Sequence, residues 1–149
     1  MMNKEYLNVA VADPREEVHV LFKNAFQEMK MEIRVHSFHS GNDLSDHMEN
    51  KLGTVPDVLF LRYDFPDDDA MECLQRMKAD PEFDPVITVM YASAIPPEEE
   101  EYIFVCGAHV VMQQPDTGTD LKKVLTEFMI ICWQFHTSGL SRNNFIMKV

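Results

Sequence analysis

Imidazoles, thiols, carboxylates and glycine-rich turns carry most protein chemistry, and this sequence sets few of them in working patterns. His19, His36, His39, His47, His109 and His136 have no metal-ligand spacing with Cys73, Cys106 or Cys132, and His36 with His39 at a strand end reads as surface. None of the five glycines falls in a GxGxxG or phosphate-loop pattern, so flavin, dinucleotide and nucleoside triphosphate chemistry has no anchor. No Ser-His-Asp or Cys-His arrangement follows from the residue order. The run Asp67-Asp68-Asp69 reads as a solvated helix start, which the helix dipole favours. What remains is a set of residues that follow apolar runs: Asp13 after Ala12, Arg62 and Asp64 after Leu61, Met90 and Tyr91 after Val89, and Gln114 after Met112. Arginine has no nucleophilic oxygen and does not deprotonate.

The elements that must position these residues are legible in the hydrophobic pattern. Leu7 to Ala12 predicts a strand, and Asp13-Pro14 then opens a helix with apolar Val18, Leu21, Phe22, Ala25, Phe26 and Met29. Pro14 suits a first helical position, with Asp13 placed to cap it. Ile33 to Phe38 predicts a second strand, followed by a helix from Ser40-Gly41-Asn42-Asp43 that ends near Gly53. Val58 to Leu61 is a third strand, followed by a helix carrying Met71, Leu74 and Met77 that Asp80-Pro81 stops. Val86 to Met90 is the fourth strand. Pro96-Pro97 and Glu98 to Glu101 begin a fourth helix, which Gly107 ends. Ala108 to Met112 is the fifth strand, and Thr117 to Asp120 starts a last helix with Leu121, Val124, Leu125, Phe128, Met129 and Cys132 on one side. The eleven methionines lie mostly at helical core spacing and read as filler. Alternating strands and helices of this length imply an α/β doubly wound parallel sheet. The domain is expected to span 1–136, with a loose polar C-terminal tail over 137–149 that ends in an apolar segment.

Composition narrows the function classes. A chain of 149 residues, 46% hydrophobic, is one domain with a core large enough to fold without staples. A net charge of −12, with no basic window, argues against nucleic acid as a partner. Three widely spaced cysteines in apolar stretches suit reduced core thiols and a cytoplasmic setting. No apolar run matches a signal peptide or a membrane span, so the chain is expected to be neither exported by that route nor membrane-bound.

In doubly wound sheets ligands sit beyond the carboxyl ends of the strands. The segments that border those ends, Pro56-Asp57-Val58-Leu59-Phe60-Leu61 with Pro66 beyond, Leu74-x-x-Met77-Lys78-Ala79-Asp80-Pro81-Glu82, Pro85-Val86-Ile87, and Gly107-Ala108 followed by Pro115, resemble in order and spacing those of bacterial response-regulator receiver domains. The sequence is similar in particular to short stand-alone receivers with an extended last helix, and the likeness runs from about Leu7 to Trp133. The resemblance implies a flavodoxin-like (βα)5 fold with strand order 2-1-3-4-5. It also implies phosphoryl transfer from a histidine kinase to an Asp at the end of the third strand. Mg²⁺ is then held by that Asp and by acids after the first strand, and a hydroxyl residue and a Lys contact the phosphoryl oxygens.

Position by position, this sequence departs from that pattern. Counting back from Pro66 puts Arg62 where the acceptor belongs; the acidic pair is Ala12 and Asp13; the hydroxyl position is Met90, followed by Tyr91; the Lys position is Gln114; and the switch aromatic is Val111. Asp13, Arg62, Met90 and Gln114 thus form a degenerate phosphorylation pocket, with neither metal nor cofactor expected. Asp13 is either a plain N-cap or a partner of Arg62. Arg62 either forks onto Asp13 in place of the lost Mg²⁺ or points to solvent. The expected function is a pseudo-receiver, not an enzyme, working by protein–protein interaction with a histidine kinase or another signalling protein. Two alternatives stay open: a receiver phosphorylated on an atypical acid such as Asp64, and a small-ligand sensor using a pocket lined by Met90 and Tyr91. The expected interaction surface is Glu98, Glu101, Tyr102 and Phe104 on the fourth helix with Lys122, Lys123 and Trp133 on the last. Its opposed charges could pair in a homodimer, and Ile130, Ile131 and Phe135 add a second apolar side to the last helix.

Overall fold

Two strands at the centre of the molecule, Val58–Arg62 and Ile87–Ala92, are apolar at nearly every position because helices cover both of their faces. The computed structural model describes residues 6–50, 55–64, 70–138 and 147–148. Its elements are β1 (Tyr6–Ala12), α1 (Glu16–Gln27), β2 (Glu32–Phe38), α2 (Gly41–Glu49), β3 (Val58–Arg62), α3 (Ala70–Lys78), a 3-10 turn at Pro81–Phe83, β4 (Ile87–Ala92), α4 (Pro97–Val105), β5 (Val110–Gln113), α5 (Gly118–Ser138) and β6 (Met147–Lys148). The sheet order is β2-β1-β3-β4-β5-β6, with every neighbouring pair parallel. The predicted 2-1-3-4-5 sheet is therefore present, and β6 adds a two-residue strand outside β5. Of the expected tail the structure describes 137–138, which continue α5, and 147–148, which form β6, so the last helix runs past the expected boundary at 136. Gly53, Pro66 and Asp67 to Asp69 lie outside the described residues.

The strand alternation assigns side chains to two cores. Between the sheet and α1 with α5 lie Val9, Val11, Phe22, Phe60, Val89, Tyr91, Met112 and Phe128, with aromatic rings meeting edge to face at 5.2 Å for Phe22–Phe60 and 5.9 Å for Phe60–Phe128. Between the sheet and α2, α3 and α4 lie Ala12, Leu44, Leu59, Leu61, Leu74, Met90 and Ile103. The three cysteines are free thiols.

Helix starts largely follow the capping signals. Ser40 accepts the Asp43 N–H, and Thr117 accepts that of Asp120. The exception is α1. Its N-cap is Arg15, which makes no side-chain cap bond, so the expected Asp13 cap with Pro14 at the first helical position is corrected. The reason is that Asp13 continues β1, its N–H donating to the Phe38 carbonyl at 3.0 Å. Gly107 closes α4 at φ +114°, a left-handed conformation that side chains rarely tolerate.

Candidate functional site

At the carboxyl ends of the strands, chain parity decides which residues meet. Val9 and Val11, Val58 and Phe60, Val89 and Tyr91, and Val110 and Met112 all face α1 and α5. The same alternation carries Asp13, Arg62 and Gln114 to that side. Arg62 is also the register partner of Tyr91. Four strand ends thus converge on one cluster, and Asp13 is its centre.

The Asp13 carboxylate is fully buried. It accepts the Arg15 backbone N–H at 2.8 Å and the Arg15 side chain at 3.1 Å from Nε and 3.0 Å from Nη2. The Tyr91 hydroxyl donates to its Oδ2 at 2.7 Å. His19 Nε2 donates to the Asp13 carbonyl at 2.8 Å, so the residue is held from the backbone as well. Arg15 Nη2 reaches on to Gln114 Oε1 at 3.1 Å, which ties the end of β5 to the end of β1.

These contacts set the charge states. Burial pushes the Asp13 carboxyl upward, but the bonds from the Arg15 side chain and N–H and from Tyr91 together outweigh it and hold the group below the ordinary aspartate range. The bond to Asp13 raises Arg15 further. Burial, then the neighbouring Asp13 charge, drives the Tyr91 hydroxyl well above its ordinary value, so it stays a donor.

Arg62 sits beside this cluster without closing it. Its Nη1 lies 3.8 Å from Asp13 Oδ2, too far for a hydrogen bond, and is buried without a partner. Its Nε and Nη2 instead hold the two oxygens of Asp64 at 3.1 and 3.2 Å. The fork on Asp13 therefore belongs to Arg15, whereas Arg62 reaches Asp13 as a longer ion pair at 3.8 Å: the expected pairing is present and the expected fork is not. The cause is reach: Asp64, two residues on, takes the Arg62 fork first. Arg62 does not point freely to solvent either, its side chain being 11% exposed.

Met90 does not join the site. It is fully buried on the opposite face of the sheet with Ala12, Leu61 and Val111, so it and Tyr91 do not line a common pocket. Counting to the hydroxyl position chose the neighbour whose side chain faces away. Arg15 is the residue that sequence reasoning missed, and Tyr91, named there only beside Met90 as a pocket wall, is instead a partner of Asp13. A signal existed for Tyr91: a phenol in a fully buried strand needs a partner for its hydroxyl, and the end of the neighbouring layer offers a carboxylate. For Arg15 the only hint is the Asp-x-Arg spacing, since an Asp side chain commonly accepts the N–H two residues on.

The Mg²⁺ that the resemblance implies does not fit these residues. Asp13 is the one buried carboxylate among the described residues, both its oxygens are engaged by donors, and two guanidiniums flank it where a divalent cation needs negative charge. Asp64 is exposed and already chelates Arg62.

The expected interaction surface is dispersed. Glu98, Glu101 and Tyr102 are exposed on α4, with Val105 beside them at 77% exposure, whereas Phe104 is partly buried against the α2–α4 core. Lys122 pairs with Glu28 at the end of α1, on the far side of the sheet from α4. Lys123 is exposed, and Trp133 packs partly buried against the α1–α5 core. Ile130 and Ile131 are partly exposed, and Phe135 is buried. No helix among the described residues is long and apolar enough to cross a membrane.

No protein-family model matches the chain, and no curated protein matches it by sequence. Its likeness is to solved structures. The phosphorylated cyanobacterial phytochrome response regulator RcpA is 14% identical with a TM-score of 0.79, over 91% of this chain and 97% of that one. Response regulator RPA3017 of R. palustris is 12% identical with a TM-score of 0.75, over 91% and 96%. The receiver domain of NarL from Mycobacterium tuberculosis is 17% identical with a TM-score of 0.69, over 88% and 98%. The chain has the flavodoxin-like fold of response-regulator receiver domains.

Proposed function

We propose that this chain is a receiver domain of two-component signalling that no longer takes a phosphoryl group and acts by docking to a protein partner. One observation carries the reading. At the corner where the fold's chemistry sits, the surviving carboxylate is saturated by Arg15 and Tyr91, and a guanidinium, Arg62, stands at the strand end expected to bear the acceptor. A saturated carboxylate neither attacks phosphorus nor binds a metal well, and an arginine offers no attacking oxygen. The domain is then not an enzyme in its own right. Its partner is a histidine kinase or another signalling protein in the cytoplasm, met through α4 with Glu98, Glu101 and Tyr102 and through Lys123 and Trp133 of α5, or a second copy of the chain.

The test is intact mass after incubation with acetyl phosphate and Mg²⁺. The reading expects an unchanged mass. A phosphate adduct that Asp64→Asn abolishes replaces it with phosphotransfer to an atypical acid. An adduct that persists in Asp64→Asn also overturns it.

A further inference from the structure

Away from the Asp13 cluster, a groove opens between β2 and α2 over the start of β1. It has a volume of about 390 Å³ including its mouth. Its floor and walls include Ala10, Leu44 and Met48, and its rim is His36, Phe38 and His47. The rings are already arranged as a wall: Phe38 meets His47 edge to face at 5.1 Å, and His36 lies 6.1 Å from His47.

At the inner end stands Asn8, whose amide Nδ2 is buried and has no hydrogen-bond partner. Asp57 pins the Asn8 main chain, its carboxylate accepting the Asn8 N–H at 2.8 Å and its own N–H donating to the Asn8 carbonyl at 2.8 Å. An unsatisfied donor lining an apolar, ring-walled groove costs stability that a ligand's acceptor would recover.

We infer that this groove binds a small, neutral, planar molecule whose ring lies against His47 and Phe38 and whose carbonyl oxygen accepts from Asn8 Nδ2. Neutrality follows from the surroundings. Asp43 and Asp46 lie on α2, which walls the groove, Glu49 is paired with Arg76, and the chain as a whole carries −12, so a carboxylate would be disfavoured. The site uses no residue of the Asp13 cluster and stands or falls independently of the docking function.

The experiment is a two-dimensional amide NMR titration of the full chain with benzamide, benzoate and toluene, each to about 10 mM. Benzamide should shift the Asn8 side-chain amide and the backbone signals of Ala10 and His47. Toluene, without the acceptor, and benzoate, with the charge, should each bind roughly five- to tenfold more weakly. Asn8→Leu should raise the melting temperature, since it removes an unsatisfied donor, and should weaken benzamide by a similar factor. His47→Ala, on the half-exposed side of α2, weakens benzamide without threatening the core and serves where Asn8→Leu fails to fold. The inference is overturned by benzamide shifts that are absent or fall elsewhere, by equal binding of all three probes, or by undiminished benzamide binding in either folded variant.

Discussion

The sharpest test of the Asp13 cluster is to remove its two arginines separately, because both lie beside the same carboxylate in space yet do different things. Arg15→Met deletes the Nε and Nη2 bonds at 3.1 and 3.0 Å and leaves Asp13 with the Arg15 N–H and Tyr91. A hydrogen bond to a charged group contributes about 1.5–3 kcal/mol, and breaking a buried ion pair from one side costs about 3–5 kcal/mol. Two features lower that figure here. The Arg15 side chain is 32% exposed, so water reaches the gap, and the unpartnered Arg62 Nη1, 3.8 Å away, can close on Oδ2. The expected loss is about 2–3 kcal/mol, roughly 5–10 °C in melting temperature for a domain this size. Arg62→Met loses a pair with the exposed Asp64, worth about 0–1 kcal/mol, and the longer pairing with Asp13, but also removes a buried unsatisfied N–H, so its cost stays below that of Arg15→Met. Urea unfolding followed by the fluorescence of the single tryptophan, Trp133, measures both. Should Arg62→Met prove the costlier of the two, or Arg15→Met lie within about 0.5 kcal/mol of the parent, the cluster as described does not hold the strand ends together.

Three further outcomes follow from the same structure. Asp13 is held below the ordinary aspartate value of 3.8, so its contribution is complete above that pH and disappears as pH falls through the lower folded value; the stability gap between parent and Asp13→Asn, measured by urea at pH 7, 5 and 3, should close at the acid end, and a gap that widens there contradicts the assignment. Gly107→Ala should cost about 1–2 kcal/mol, because φ is +114° and the new Cβ would lie 2.8 Å from Lys78 Cγ. Lys78→Ala in the same chain relieves the steric part alone, so full recovery in the double variant would refute the backbone explanation. Iodoacetamide on the native chain should label Cys106 first, since Cys73 and Cys132 are buried and burial drives the Cys132 thiol upward; early peptide-mapped label on Cys132 would show that α5 opens readily.

What the sequence disclosed, and where it failed, divides along a physical line. The apolar runs Val58 to Leu61 and Val86 to Met90, the second interrupted only by Thr88, announce strands covered on both faces, and their alternation with helical periods gives the order of elements. Counting from Pro66 and Pro115 then locates Arg62 and Gln114 at strand ends. Those features are local, and the structure shows the sheet order they imply. The site is not local. Choosing Met90 over Tyr91 meant choosing a face of β4, and counting along a motif does not carry parity, although Ile87 and Val89 on the α1–α5 side do. The roles of Arg15 and Arg62 were harder still, because both can reach Asp13 and the outcome depends on a competitor, Asp64, that captures one fork and leaves the carboxylate to the other. A guanidinium that chelates Asp64 and still buries an unpartnered N–H beside Asp13 is poised between two partners, so Asp64→Ala should free Arg62 to bond Asp13. Stability after that substitution should fall by less than about 0.5 kcal/mol, or rise, and a larger loss would mean that Asp64 is itself part of what closes the corner.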